Sequence, residues 1–408
     1  MRISTSMMFD TNTQNLQQLQ TGLYRLQNQM STGRRILTPA DDPVSAAQAV
    51  VIGQKKAVNS QFVDNQGNAA SQLASLESTL RTASDLISNV MVRAAEADNG
   101  NISDTSRLAL AAEITQDFEQ LLGIANSTDT MGQHVFAGFR GETQPFAVSG
   151  SPGSRSIAYV GDDGTRQLQV DTGRVMDVSA AGSDVFMRIP EGNGKFAFSA
   201  GATNTGTGLL GASSMISGYN DSTYKLTFTA PGVYTLDVTT NGVPATPVTG
   251  LTYTAGSDIV LGPVGQQVRI NLSGTPATGD TFTVEPAANQ DIFTTLDSMI
   301  KALNASVSTS PATQAAFKNQ ITQIRLNLDQ AYDHLITAQT SIGARRLELE
   351  NLSVAGADRD LQYQSDLSKL QDLDYTQAIS DMANHKMVLE AAQLSFKQVS
   401  QMTLFNYL

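Results

Sequence analysis

The sequence predicts an α+β protein: a long antiparallel α-helical, coiled-coil-like rod built from both chain ends, with an inserted β-rich domain. Three observations predict it. Gly and Pro crowd into the middle, with 21 of 32 Gly and 8 of 12 Pro between Phe146 and Gln290. Both residues weaken helix interiors, so the flanks read as helical and the middle as strands and turns. In the flanks, apolar residues recur at alternating spacings of three and four, the 3.5-residue repeat of helices packed along one another. In the middle, short runs alternate apolar and polar in period two. The expected boundaries are 1–41 for a terminal helix that pairs with 366–408, 42–145 and 291–365 for the two parts of the rod, and 146–290 for an outer insertion of one or two β modules.

The first helix carries its seam on Phe9, Leu16, Leu19, Leu23, Leu26 and Met30, with Asn12 interrupting. Around it stand Gln14, Asn15, Gln17, Gln18, Gln20, Gln27, Asn28 and Gln29, with few charges. A lone solvated helix carries Glu and Lys there; helices stacked among copies of themselves avoid like charges at short spacing. Asp42 and Pro43 then read as N-cap and first residue of a second helix, so the adjacent Asp41 and Asp42 belong to a helix start rather than to acid–base chemistry. That helix runs toward Ala97 on a stripe of Leu73, Leu76, Leu80, Ala83, Ile87, Val90 and Ala94, with Gly67 costing it about 1 kcal/mol. After the Asp98–Asn101 turn, Ser103 or Asp104 opens an antiparallel helix with Leu108, Ala111, Phe118, Leu121 and Ala125 on its buried stripe.

The C-terminal flank repeats the logic. Phe317, Ile321, Ile324, Leu328, Ala331, Leu335, Ala338, Ile342, Leu349 and Leu352 keep one heptad register, broken by Arg345. Gly356 is expected to end this helix, and a last one follows with Ile379, Met382, Leu389, Ala392, Phe396 and Val399 on its stripe. The chain closes Met402-Thr403-Leu404-Phe405-Asn406-Tyr407-Leu408, an apolar end that calls for a partner. In the insertion, Ile157–Val160 and Arg166–Val170 flank Gly161–Gly164 as a hairpin, Tyr224–Phe228 and Val233–Val238 alternate, Asn241-Gly242 makes a turn, and Val268–Leu272 and Thr281–Val284 complete the strands.

Composition narrows the function classes. With 26 basic against 38 acidic residues the formal net charge is −12, which argues against a nucleic-acid partner. Cysteine is absent, which removes disulfides, thiolate metal sites and cysteine nucleophiles. No apolar run approaches 18 residues, so no membrane helix is expected. The N-terminus lacks a secretory signal, so any export is expected to take another route. Gly206-Thr207-Gly208-Leu209-Leu210-Gly211 has the dinucleotide-binding glycine spacing but no preceding parallel strand and no following helix. Asp162 and Asp163 lack the ligand spacing of a calcium loop. His134, His334 and His385 stand far apart. No catalytic residue, cofactor site or metal site is expected.

Both ends resemble the flagellin superfamily, and within it the hook–filament junction family. The resemblance rests on Met1–Phe9, on Gln29–Val44 with its Pro39-Ala40-Asp41-Asp42-Pro43, and on Ala125–Asp129 through Val135-Phe136-Ala137-Gly138-Phe139 to Thr143–Phe146. It implies a structural adaptor, not an enzyme, exported through the flagellar channel and located at the hook–filament junction. The partners it implies are hook-associated protein 1, flagellin, further copies of the chain in a ring, and an export chaperone at the C-terminal helix. The expected assembly interface is Leu16, Leu19, Leu23, Leu26 and Met30 with Ile379, Met382, Leu389, Phe396 and Val399. Two rival readings are flagellin itself, the bulk filament subunit, and a flagellar surface protein whose β insertion is an adhesin.

Overall fold

The structure, a computed structural model, describes residues 5–99, 102–129, 131–305 and 310–401, and side chains from Met7 to Gln398. The closing segment Met402–Leu408 lies outside the described residues. Long helices occupy both ends: α1 (Thr5–Thr32), α2 (Pro43–Asp98) and α3 (Asp104–Ala125) precede the strands, and α4 (Ile292–Asn304), α5 (Pro311–Gln371) and α6 (Tyr375–Gln401) follow them. The protein is therefore α+β, with a central β-rich region. Two compact units result, Met1–Gln66 with Asn351–Leu408 and, separately, Gly67–Glu350.

Gly67–Glu350 holds nearly all of the apolar core. Leu73, Leu76, Leu80, Ala83, Ile87, Val90 and Ala94 of α2 are buried, as are Phe317, Ile321, Ile324, Leu328, Leu335, Ile342 and Leu349 of α5. Their 3–4 spacing keeps these side chains on one stripe of each helix. Ser103 caps α3, its hydroxyl accepting from the Ser106 N–H at 3.1 Å. The buried face of α3 runs through Leu110, Ala111, Ile114, Phe118 and Leu121, whereas Leu108 is 54% exposed. Assigning Leu108 to the stripe was an error of register: Leu110 and Ile114 are four apart and take the core. α3 packs on α4, where Phe293 meets Phe118, Phe146 and Phe186 at ring-centroid distances of 5.9, 5.3 and 6.0 Å.

The strands fall between Phe146 and Gln290. β1 (Phe146–Ser149) pairs with β2 (Ser156–Tyr159), β3 (Gln167–Asp171) with β4 (Arg174–Asp177), and β5 (Ile189–Pro190) with β15 (Asn289–Gln290). The expected hairpin across Gly161–Gly164 does not form, because β2 and β3 each take another partner. Asp162 is used instead as a clamp, its Oδ1 accepting from the Phe139 N–H at 2.9 Å and the Gly164 N–H at 2.8 Å. Gly138, at φ +67°, lies so close to Asp162 that a Cβ would stand 2.3 Å from the Asp162 carbonyl oxygen, so only glycine fits.

The remaining strands make two antiparallel sheets. One follows the order β10 (Val243–Pro244), β9 (Val233–Thr240), β8 (Thr223–Ala230), β14 (Thr281–Pro286), β6 (Phe196–Ala200), with β11 (Val248–Thr252) also on β9. The other is β12 (Asp258–Leu261), β13 (Val268–Ser273) and β7 (Leu209–Met215). Alternate side chains from both sheets share one core, including Phe198, Leu226, Phe228, Ile259, Ile270 and Phe282. Asn241 and Gly242, at φ 51° and 77°, make the β9–β10 turn, the left-handed pair of a type I′ turn. A row of amides on α5 holds this body. Asn319 bonds the Leu210 N–H and the Gly208 carbonyl at 2.8 and 2.9 Å, and Asn327 accepts from the Gly192 N–H at 2.8 Å. The glycine run 206–211 leads into β7 rather than a helix, with the Gly206 N–H on the Asp280 carboxylate at 3.0 Å.

In the other unit, helix α5 runs straight through Gly356 instead of ending there. The glycine admits close packing: a Cβ would lie 2.9 Å from Val63 Cγ2, and the Asn59 amide donates to the Gly356 carbonyl at 2.8 Å. Removing a side chain at a helix crossing won over helix propensity, whose cost is about 1 kcal/mol.

Candidate assembly surface

The terminal helices α1 and α6 pack antiparallel. Phe9 meets Phe396 at 4.9 Å between ring centroids, Gly22 faces the His385 ring, and the Tyr375 hydroxyl donates to the Met30 carbonyl at 3.1 Å. Leu16, Leu19, Leu23, Leu26 and Met30 are half-buried on this seam, as are Met382, Leu389 and Phe396 on α6. Ile379 is not: it is 53% exposed, while its neighbour Ala378 is buried. The α6 register passes through Ala378, Met382, His385, Leu389, Ala392 and Phe396, in steps of four and three. Hydrophobicity pointed to Ile379, but the 3.5 period selects Ala378 and His385. The period was the signal that would have found both. The side chain of Val399 lies outside the described residues.

The turn after α1 ties the two ends together. α1 stops at Gly33, φ +69°, the left-handed residue that commonly ends helices. Arg35 donates its N–H to the Gln371 carbonyl at 2.7 Å and its guanidinium to the Leu370 carbonyl at 2.9 Å. The Leu373 N–H returns to the Gly33 carbonyl at 2.9 Å. Gln29, assigned from sequence to the polar outer face, is buried and donates its amide to the Arg35 carbonyl. Asp42 caps α2, accepting from the Ser45 N–H at 3.0 Å. Asp41 accepts from the Thr38 and Leu37 N–H groups at 2.8 and 3.0 Å and pairs with Arg25 at 2.9 Å.

These bonds hold the Asp41 carboxyl below its ordinary range, the Thr38 N–H contributing most and partial burial opposing it. A carboxyl depressed in the folded state stabilises above the unfolded-chain value and loses that contribution as pH falls through the folded value. The 33–42 turn should therefore keep its protection at neutral pH and lose it only below the ordinary aspartate range, near pH 4. Amide exchange at Leu37 and Thr38 checks this. Asp41→Ala should speed both amides at pH 7 by about tenfold, the order of one lost charge-assisted bond. Unchanged exchange would refute the assignment.

The rest of this unit is almost without an apolar interior. Among the described residues, its buried hydrophobics are Ala49, Phe62 and Ala378. By contrast Met7, Phe9, Tyr24, Met387, Val388 and Leu394 of the terminal helices are 50–68% exposed. Such a density of exposed large side chains marks an interaction surface.

A cleft of about 480 Å³ is lined by Glu191, Glu285, Lys301, Gln323 and Asn327 without pairing a nucleophile with a base. Among the described residues, no group of three or more His, Cys, Asp or Glu is placed to hold a metal ion, and no helix is long and apolar enough to cross a membrane.

Known proteins of similar sequence and structure bear on this arrangement. Residues 3–140 match the bacterial flagellin N-terminal helical region. The flagellar hook-associated protein 3 of Escherichia coli K12 is 27% identical, over 100% of this chain and 99% of its own length. The crystal structure of FlgL from Xanthomonas campestris is 32% identical, covering 78% of this chain and 99% of its own, with a TM-score of 0.69. The flagellar junction protein FlgL from Legionella pneumophila is 30% identical, covering 80% of this chain and 100% of its own, also with a TM-score of 0.69. By their names these relatives are hook-associated and junction proteins of the flagellum. With identity of this level over essentially the whole of those structures, the chain belongs to the flagellar hook-associated protein 3 family, the FlgL junction proteins of the flagellin superfamily.

Proposed function

We propose that this chain is a structural adaptor of the bacterial flagellum, joining the hook-associated protein 1 layer to the flagellin filament by ring assembly through α1 and α6. One observation carries the reading: the terminal unit exposes Met7, Phe9, Tyr24, Met387, Val388 and Leu394 while burying hardly any large side chain. Full burial of each such side chain contributes about 1.5–3 kcal/mol. Ordering each helical residue costs about 1–2 kcal/mol in backbone entropy. A half-buried two-helix seam recovers too little of that cost alone, and neighbouring subunits supply the rest.

In this reading the chain leaves the cell through the flagellar export apparatus, escorted by an export chaperone at the C-terminal helix. Its stations are the hook–filament junction and a ring of identical copies. The assembly contacts are those of Leu16, Leu19, Leu23, Leu26, Met30, Met382, Leu389, Phe396 and Val399, with Ile379 facing a neighbour rather than α1. Segments 42–145 and 291–365 serve as the supporting helices, and 146–290 as the outer β body.

Hydrogen exchange on the free and assembled chain tests this. In the free subunit, roughly the first and last forty residues should exchange as locally open segments, and assembly should protect them. Strong protection of both ends in a dilute monomer would overturn the proposal. Long filaments formed by the purified chain alone would instead identify a bulk filament subunit.

A further inference from the structure

Two helix faces in the terminal unit are used neither by the α1–α6 seam nor by the contact between α2 and α5. On α2, Val44, Val51 and Val58 recur every seven residues and are 68, 50 and 48% exposed. On α5, Val354 and Leu361 stand one heptad apart and are 59 and 65% exposed. Leu347, a heptad upstream on the same helix, is 64% exposed. α2 meets α5 through other positions: Asn59 and Val63 against Gly356, and Lys56 with Asp360 at 3.8 Å. Seven-residue spacing aligns side chains into a straight row of knobs, the arrangement that packs against a second helix.

Charge then selects the partner. Lys55 lies four residues after Val51 and three before Val58, on the valine face, and is exposed. Asp358 lies four after Val354 and three before Leu361, and is exposed as well. In-register parallel pairing of the valine face with itself would set Lys55 against Lys55, and of the α5 face with itself Asp358 against Asp358. Like charges at a contact select against both arrangements.

We infer that the Val44–Val51–Val58 face of α2 docks on the Val354–Leu361 face of α5 in a second copy of the chain, with Lys55 opposite Asp358. The contact joins two different faces, so each added copy offers a free face to the next, and repetition builds a ring where the rotation closes. It adds a lateral contact to the one made by α1 and α6 and relies on the ring proposal only for that closure.

The cysteine-free sequence allows a direct test. Intact flagella from cells producing both Val51→Cys and Val354→Cys chains are oxidised with copper phenanthroline. A covalent dimer is expected from the mixture and none from either variant alone. Dimers from a single variant, or none from the mixture although both chains are recovered with flagella, would overturn the pairing. Lys55→Asp and Asp358→Lys should each lower filament attachment about tenfold and together restore it to within about twofold, a loss and recovery equal to roughly one decade in affinity. Loss without recovery would also overturn it. Should neither chain be found on flagella, the adaptor reading fails separately, and the same oxidation of the concentrated purified chains then decides the pairing.

Discussion

Leu23→Asp and Phe396→Asp are each expected to abolish attachment of filaments to hooks. Leu23 is half-buried on α1, and the Phe396 ring lies 4.9 Å from Phe9 across the seam. A carboxylate at either place loses the apolar contribution and must shed its water to enter the seam. A conservative figure is about 3 kcal/mol, or roughly a hundredfold in the equilibrium for docking one subunit. Repeated around the proposed ring, that loss leaves no stable junction. Counting filaments per hook by electron microscopy gives the result, and limited proteolysis should show the Gly67–Glu350 unit intact in both variants. Filaments that remain attached in both would show that the seam is not an assembly contact.

Phe293→Ala has the largest expected effect on stability. Phe293 is fully buried and joins α4 to α3, β1 and the short π-helical turn Ser183–Met187 through Phe118, Phe146 and Phe186. Truncating it leaves a cavity among three rings, at a cost of about 3–5 kcal/mol. The urea midpoint of the Gly67–Glu350 unit should fall accordingly, whereas Phe293→Leu should lose less than half as much. The terminal helices contribute little to that transition, so Leu23→Asp should leave the same midpoint unchanged. A midpoint unmoved by Phe293→Ala would mean that the aromatic cluster does not hold α4 to α3.

The α2 stripe was legible residue by residue and the α5 stripe nearly so, with Ala338 and Leu352 only half-buried, because a helix repeats its buried face from local geometry alone. Asp42 and Pro43 were legible as a helix start for the same reason: the cap satisfies N–H groups three residues away. The strands Tyr224–Phe228 and Val233–Val238 showed themselves by alternation, and their turn residues marked where the chain reverses.

Other features were hidden because their cause lies far along the chain. Gly356 looks like a helix end and is a point of close approach to Val63. Gly161–Gly164 looks like a hairpin turn, yet β1 and β4 claim the flanking strands and Asp162 clamps Phe139. Gln29 looks like surface and satisfies the Arg35 carbonyl. Ile379 looks like seam and points outward, while His385 and Ala378 occupy the stripe.

By itself, then, the order of residues determined the helix-flanked β architecture, the two core stripes and the absence of the residue types that disulfide and thiolate chemistry require. Each of those follows from periodicity or composition, which act within a few residues. Which strands pair, which glycine is a contact rather than a break, and which residues of the last helix face the first were decided only by tertiary packing. There the chain brings together groups far apart in sequence, as in the Phe9–Phe396 ring contact and the bond from Tyr375 to Met30, 345 positions apart. Such pairings depend on which buried polar groups and side-chain volumes can be satisfied at once, and no local pattern encodes that choice.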